Sequence, residues 1–167
     1  MRRGDRRGRR ARPRAALSHP AFLDRDDHCL EVQVPFLVRR QSQLRLTPII
    51  LSRLSLERCR QLGEFLAEAV SASEEPVLLA ISTDMSHFHS AAEAKTLDER
   101  CLECVLALDP AGLYETVRSQ RISMCGFIPV TVALYYAKAR GLSRCRLVRY
   151  GHSGEVSGDD SRVVGYA

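Results

Sequence analysis

The chain places side chains that could bind a metal or move protons directly after a short apolar run. Val77–Ile81 has the length and composition of a buried strand, and the polar sequence Ser-Thr-Asp-Met-Ser-His-Phe-His follows it. Asp84, His87 and His89 therefore come after the carboxyl end of a predicted strand, at the edge of an open α/β sheet where ligands bind. Carboxylates and imidazoles serve as metal ligands and proton-transfer groups, but polar residues are also common at ordinary strand ends.

A second group of titratable side chains lies in the segment Asp-Asp-His-Cys-Leu-Glu at positions 26–31. Asp27 and His28 could form a general acid or base. Alternatively, Asp27 accepts backbone N–H groups at the start of a helix or turn, and such caps are more frequent than active sites.

Cysteines supply the third kind of candidate. Cys125 and Gly126 precede a predicted helix, whose N–H groups and dipole would favour a thiolate that binds a metal or acts as a nucleophile. The alternative for Cys125 is a buried, unreactive side chain. Cys101 and Cys104 have the spacing of a zinc or redox pair, but both fall on the inward stripe of a predicted helix, which favours core packing.

A polar, glycine-rich loop from His152 to Asp160 could line a pocket or bind an anion through backbone N–H groups. It lacks the Lys-Ser/Thr pair of a phosphate-binding P-loop.

The elements that must position these groups are predicted to alternate between strands and helices. That alternation favours an α/β fold, a three-layer sandwich in which helices flank a mixed sheet. The segment 27–41 fits either a strand or a short helix with an early proline. The predicted strands are 46–51, 77–82, 145–150 and 162–167, and the predicted helices are 55–70, 91–108, 110–118 and 128–140.

Charge and hydropathy exclude some classes of function. Of the 25 basic residues, eight arginines lie in residues 1–14, and the rest of the chain is close to neutral, so a specific nucleic-acid interface is not predicted. No apolar stretch is long enough to cross a membrane, and no secretion signal follows the basic start. Scattered cysteines without such a signal predict reduced thiols in a cytoplasm.

Five collinear segments resemble the Memo family, whose bacterial and archaeal members are called AmmeMemoRadiSam system protein B. The segments are Asp27–Phe36, Ser82–His89, Cys125-Gly126 with Pro129, Tyr150–Gly158 and Val163–Ala167.

The resemblance implies a fold similar to the LigB-type extradiol dioxygenases, which use non-haem iron. It implies a pocket of two histidines and one cysteine for iron or copper, with redox or dioxygen-linked chemistry. Cys125 would be the metal-binding cysteine, and Asp84, His87 and His28 would line the same pocket as proton-handling groups. It also implies a protein or peptide partner and a functional link to AMMECR1-like and radical SAM proteins.

This chain departs from the family most at its beginning. The Pro-His-Ala-Gly and Gly-Pro-x-His strand ends that hold the two metal-binding histidines do not occur in it, and the family's Glu-His-Ser is Asp27-His28-Cys29 here. Residues 1–17 are interpreted as a disordered arginine-rich tail, or as the product of a misassigned start or a frame shift, before a partial Memo-like domain over 18–167.

We therefore expect this chain to bind metal weakly, because a single thiolate makes a weak site. We also expect it to lack the redox or dioxygen-linked activity of the complete form. Two other functions stay open: a non-catalytic protein- or peptide-binding module, and a Cys-dependent hydrolase that uses Cys125, His87 and Asp84.

Overall fold

The computed structural model describes Leu30 and residues 32–167. The predicted tail at 1–17 and the candidate residues Asp27 and His28 lie outside the described residues. The described part contains the helices α1 (Val34–Arg40), α2 (Leu56–Ser71), α3 (Ala91–Leu106), α4 (Pro110–Ser119), α5 (Phe127–Ala139) and α6 (Gly154–Ser157), and the strands β1 (His87–His89), β2 (Gly151–His152) and β3 (Val163–Tyr166). None of these helices combines the length and the hydropathy that crossing a membrane requires.

The helices begin where capping residues stop the preceding chain. The side chain of Ser55 accepts the Arg58 N–H at the start of α2. The side chain of Ser90 accepts the Glu93 N–H at the start of α3. Asp109 accepts the Gly112 N–H in front of Pro110, the first residue of α4. These side chains satisfy N–H groups that have no partner within the helix, so the start of each helix is set locally. The predictions of α2 to α5 are confirmed.

The core lies between these helices. Buried side chains of α2, α4 and α5 form one cluster. Those of α3, α4, α5 and the segment 122–124 form a second, together with Met85. Helices α2 and α5 approach closely at Gly63, where a Cβ would lie 2.6 Å from Tyr135 Cβ and 2.7 Å from the Val132 carbonyl oxygen. Any larger residue would force the two helices apart.

The sheet is small and antiparallel, with the order β1-β3-β2. Its pairing is irregular between His87 and His89, and the intervening Phe88 has a φ of 67°. Few residues other than glycine take such a φ, and a bulge of this kind redirects the side chains beside it. The guanidinium of Arg162 lies over the exposed Phe88 ring, 4.6 Å from its centre.

The predicted mixture of helices and strands is confirmed, but the three-layer sandwich with a mixed sheet is not formed within the described residues. The predicted strands over 46–51, 77–82 and 145–150 are not strands there, because their backbones have no hydrogen-bonded neighbour among the described residues. The predicted strand at 162–167 is present as β3. The ambiguous segment 27–41 contains the short helix α1, with proline in its first turn, so the helical alternative is the one observed in its described part.

Candidate functional site

Two side chains fasten the loop before α5 to the segment that leads into β1. The Ser123 hydroxyl accepts the His87 N–H at 2.7 Å and donates to the His87 carbonyl at 3.3 Å. At the other end of the loop, the Thr83 hydroxyl accepts the Gly126 N–H at 2.8 Å. Cys125 lies between these two attachments, so its position relative to the segment 83–87 is fixed from both sides.

Gly126 permits this close approach. A Cβ at this position would overlap the side chain of Thr83 and would lie 3.0 Å from the Ser82 carbonyl oxygen. Contacts this short do not occur between real Cβ atoms and their neighbours, so only glycine fits without moving the loop away from the segment.

The loop brings three candidate residues together. One ligand atom each from Asp84, His87 and Cys125 lies within 4.8 Å of the other two. The His87 side chain is only 18% exposed, whereas that of Asp84 is 47% exposed and Cys125 is exposed. The Asp84 N–H donates to Cys125 Sγ at 3.2 Å, an arrangement that suits a thiolate. The site therefore has a fixed inner side and an open outer side.

The hydrogen bonds of His87 determine which ring nitrogen carries a proton. Its Nδ1 lies 2.7 Å from the Ser123 carbonyl oxygen, which can only accept, so Nδ1 must be the donor. In a neutral ring Nε2 then presents a lone pair, and this atom lies 3.3 Å from Asp84 Oδ2. A lone pair, a carboxylate and a sulfur atom thus converge, and these are atoms that can bind a cation.

The segment 83–87 is also held by the buried carboxylate of Asp98. Asp98 of α3 is fully buried, and its two oxygens accept the Ser86 N–H and the Tyr150 hydroxyl, both at 2.8 Å. Burial, and then the hydrogen bond to Asp98, raise the pKa of Tyr150 above its usual range. Gly165 of β3 lies so close that a Cβ there would overlap Asp98 Oδ2.

The sequence prediction did not include Asp98, although a signal was present. Ala94, Asp98 and Cys101 are spaced as one helical face, and all three are buried. A carboxylate on the apolar stripe of a helix indicates a buried acceptor.

The remaining candidates lie elsewhere. His89 is paired with Glu93 at 3.3 Å and is not part of the three-residue cluster. Cys101 is fully buried, and burial raises the pKa of its thiol to about 12, as expected for a packing residue. His152 lies in a cleft with Arg149 and Tyr166, and its buried Nδ1 has no hydrogen-bond partner within the described residues.

Comparison with known proteins finds a matching family model and several related proteins. A family model for Memo-like proteins matches residues 12–167. The MEMO1 family protein of Methanosarcina barkeri is 39% identical over 144 residues, which are 86% of this chain and 54% of that protein. Its counterpart in Methanosarcina mazei is 35% identical over 84% of this chain and 53% of that protein. A MEMO1 family protein of Archaeoglobus fulgidus is 35% identical over 94% of this chain and 59% of that protein.

The chain spans about half the length of the curated relatives it matches. The family match nevertheless includes every element of the described structure and all three clustered side chains. On this evidence, the chain belongs to the Memo family.

Proposed function

We propose that Asp84, His87 and Cys125 form a transition-metal site, with iron or copper as the metal. The observation that carries this proposal is the convergence of three electron-pair donors, with His87 Nε2 facing Asp84 Oδ2 across 3.3 Å. Imidazole, thiolate and carboxylate together suit iron and copper better than calcium or magnesium, which prefer oxygen ligands alone.

The surrounding residues support a metal-binding role. A histidine that binds a metal usually donates its other ring N–H to a carbonyl or carboxylate, and His87 Nδ1 has the Ser123 carbonyl in this place. Three protein donors with an open outer side leave coordination positions for water or substrate. The weak site expected from the sequence relied on the thiolate alone, whereas the geometry supports three donors.

When bound, iron or copper would supply redox or dioxygen-linked chemistry at this position. The protein's own part is to orient the donors and to handle protons. Ser123 fixes the His87 ring, and the Asp84 N–H holds Cys125 Sγ. The half-exposed Asp84 carboxylate lies 3.3 Å from Nε2, and we assign it the proton-handling role.

The alternative of a Cys-dependent hydrolase receives less support from the same geometry. In a catalytic triad, one ring nitrogen faces the nucleophile and the other donates to the carboxylate. Here Asp84 faces Nε2, the nitrogen that would have to accept the thiol proton, and a carbonyl already takes Nδ1.

The proposed compartment is reducing and cytoplasmic, in keeping with five free cysteines among the described residues. A functional link to AMMECR1-like and radical SAM proteins remains a prediction from the family.

The direct test is anaerobic titration of the purified, metal-free chain with Fe²⁺ and with Cu⁺, followed by metal analysis after gel filtration. We expect one equivalent to bind, and Cys125→Ser to weaken binding by about 100-fold or more, since even supporting residues of metal sites contribute about 10- to 100-fold. Cys145→Ser is the matched control, because Cys145 is also exposed and lies outside the cluster. Equal binding by both variants, or no binding by the unmodified chain, would contradict the proposal.

A further inference from the structure

Phe88 has a backbone conformation that an aromatic residue does not favour. Its φ of 67° lies in the left-handed region, which glycine adopts at lower cost. Core packing does not account for a phenylalanine at this position either, because the residue is 66% exposed. Backbone strain of this kind persists only where the surrounding structure imposes it, and it is concentrated at functional sites. The exposed ring therefore indicates a role in binding rather than in folding.

The strand pairing on both sides of Phe88 fixes this conformation. His87 pairs with Val164 and His89 pairs with Val163, and the register is irregular between the two pairs. Successive side chains of a regular strand point to opposite faces. Here the centres of the Phe88 and His87 rings are only 5.7 Å apart, within the range of an aromatic pair. The bulge therefore places the exposed ring beside the imidazole of the candidate site.

Arg162 adds a positive charge to this ring. Its guanidinium carbon lies 4.6 Å from the centre of the Phe88 ring. Within the described residues the Arg162 side chain forms no hydrogen bond or ion pair, since the nearby Asp159 carboxylate accepts from Ser161 instead. A guanidinium whose face lies on an aromatic ring still presents its N–H groups at its edge. Arg162 is thus a positioned cation with donors to spare.

The chemistry of this pair favours a carboxylate as its ligand. A planar guanidinium binds a planar carboxylate through two parallel N–H···O bonds. Asp84 in the cluster and Asp159 and Asp160 in the loop before Arg162 add negative charge to the surroundings. That charge repels a doubly charged phosphate more strongly than a singly charged carboxylate. The phenyl ring offers apolar surface to the carbon atoms of the same ligand.

We propose that Arg162 and Phe88 recognise a small carboxylate ligand of the candidate site. The guanidinium binds the carboxylate, and the ligand's carbon chain lies across the Phe88 ring towards His87. Neither residue belongs to the cluster of metal donors, so both determine which ligand reaches it. The inference rests on the proposed function for the role of that cluster, but the carboxylate contact itself is testable without metal.

NMR titration of the full, metal-free chain with sodium acetate tests the contact, with sodium chloride keeping the ionic strength constant. We expect saturable shifts of the Arg162 Nε–H and Phe88 ring resonances. Arg162→Gln should weaken acetate binding by at least about tenfold, because the charge and the paired donors are both lost. Arg149→Gln is the matched control, since Arg149 is also exposed but is paired with Glu155. The proposal is overturned by shifts that do not saturate, by equal weakening in both variants, or by tighter binding of inorganic phosphate.

Butyrate tests the part played by the Phe88 ring. Its two additional CH₂ groups can cover the ring, so the unmodified chain should bind butyrate at least about threefold more tightly than acetate. Butyrate should also shift the ring resonances of His87. Phe88→Gly should abolish the preference for butyrate, while urea denaturation shows unchanged or increased stability because glycine relieves the strained φ.

Each result for butyrate decides the matter in one direction. A preference that is absent from the unmodified chain, or that survives in Phe88→Gly, would overturn the role of the ring. An unshifted His87 ring would place the ligand away from the candidate site and would also overturn the proposal. Metal binding is measured separately by the anaerobic titration, so failure of the metal site and failure of carboxylate recognition are distinguishable.

Discussion

Two carboxylates hold or belong to the stretch from Asp84 to His87: Asp84 is its first residue, and Asp98 accepts a hydrogen bond from Ser86 within it. Their surroundings differ in kind. Asp98 is fully buried, and each of its oxygens accepts a hydrogen bond from the protein. Asp84 is about half exposed, and its Oδ2 faces a nitrogen lone pair when the His87 ring is neutral. Both oxygens of Asp98 have donors within the fold, whereas the carboxylate of Asp84 is open to solvent and to a bound cation.

This difference separates a role in stability from the proposed role in metal binding. A buried acceptor with two donors holds chain segments in place, and removing it leaves those donors without partners. A half-exposed carboxylate beside an imidazole and a thiol contributes little to folding but much to binding a cation. The comparison predicts opposite responses to the same substitution at the two positions.

The largest effect is expected from Asp98→Ala. It leaves the Ser86 N–H and the Tyr150 hydroxyl without an acceptor, so the free energy of unfolding should fall by about 3 kcal/mol. Asp84→Ala is the matched control and should change it by less than about 0.5 kcal/mol. Urea denaturation monitored by circular dichroism measures both. Equal losses in the two variants would remove the distinction between the carboxylates.

Gly126→Ala should act on both stability and binding. The added methyl group overlaps Thr83, and relief of the overlap moves the loop that carries Cys125. We expect about 1–3 kcal/mol of destabilisation and, because the displaced loop carries Cys125, a loss of metal affinity of at least about tenfold. Denaturation and metal titration of the same preparation give the two values. Unchanged affinity would show that the close approach of loop and segment does not matter to the site.

The high pKa of Tyr150 predicts an alkaline limit to stability. Because the folded-state pKa lies above the unfolded value of about 10, the neutral phenol stabilises the fold fully below that pH. This contribution is lost as the pH rises through the folded-state pKa. Unfolding free energies at pH 8 to 11.5 should therefore fall more steeply for the unmodified chain than for Tyr150→Phe. Parallel pH profiles would contradict the assignment.

The smallest effect on folding is expected from Asp84→Asn. An asparagine can donate its amide N–H to His87 Nε2, so the metal-free chain should keep its stability to within about 0.5 kcal/mol. Its metal affinity should fall at the same time, since a neutral amide replaces a carboxylate ligand. A loss of stability without a loss of affinity would reverse the roles given to Asp84 and Asp98.

The sequence predicted the helices well because local signals control them. Ser55, Ser90 and Asp109 cap the first turns, and apolar periodicity continues each helix from there. The strands were predicted less well, because a strand depends on its neighbours as well as on its own residues. Val77–Ile81 has the composition of a strand but has no hydrogen-bonded neighbour among the described residues.

The grouping of three candidate side chains could be predicted from the sequence, but the hydrogen bonds that orient them could not. The resemblance grouped Asp84, His87 and Cys125, and the structure brings these side chains together, while their chemical roles remain a proposal. The Ser123 carbonyl that sets the His87 tautomer could not be inferred, because it depends on a contact between residues 36 positions apart. The proposed role of His28 concerns a residue outside the described range.

The tight contact between Gly165 and Asp98 also constrains how this chain can diverge. A side chain at position 165 and a carboxylate at position 98 cannot occupy the same space, although 67 positions separate them. Replacement of the glycine is therefore expected to require prior loss of the acid, whereas loss of the acid meets no such overlap at position 165. A relative with a larger residue at position 165 is therefore expected to lack the acid at position 98.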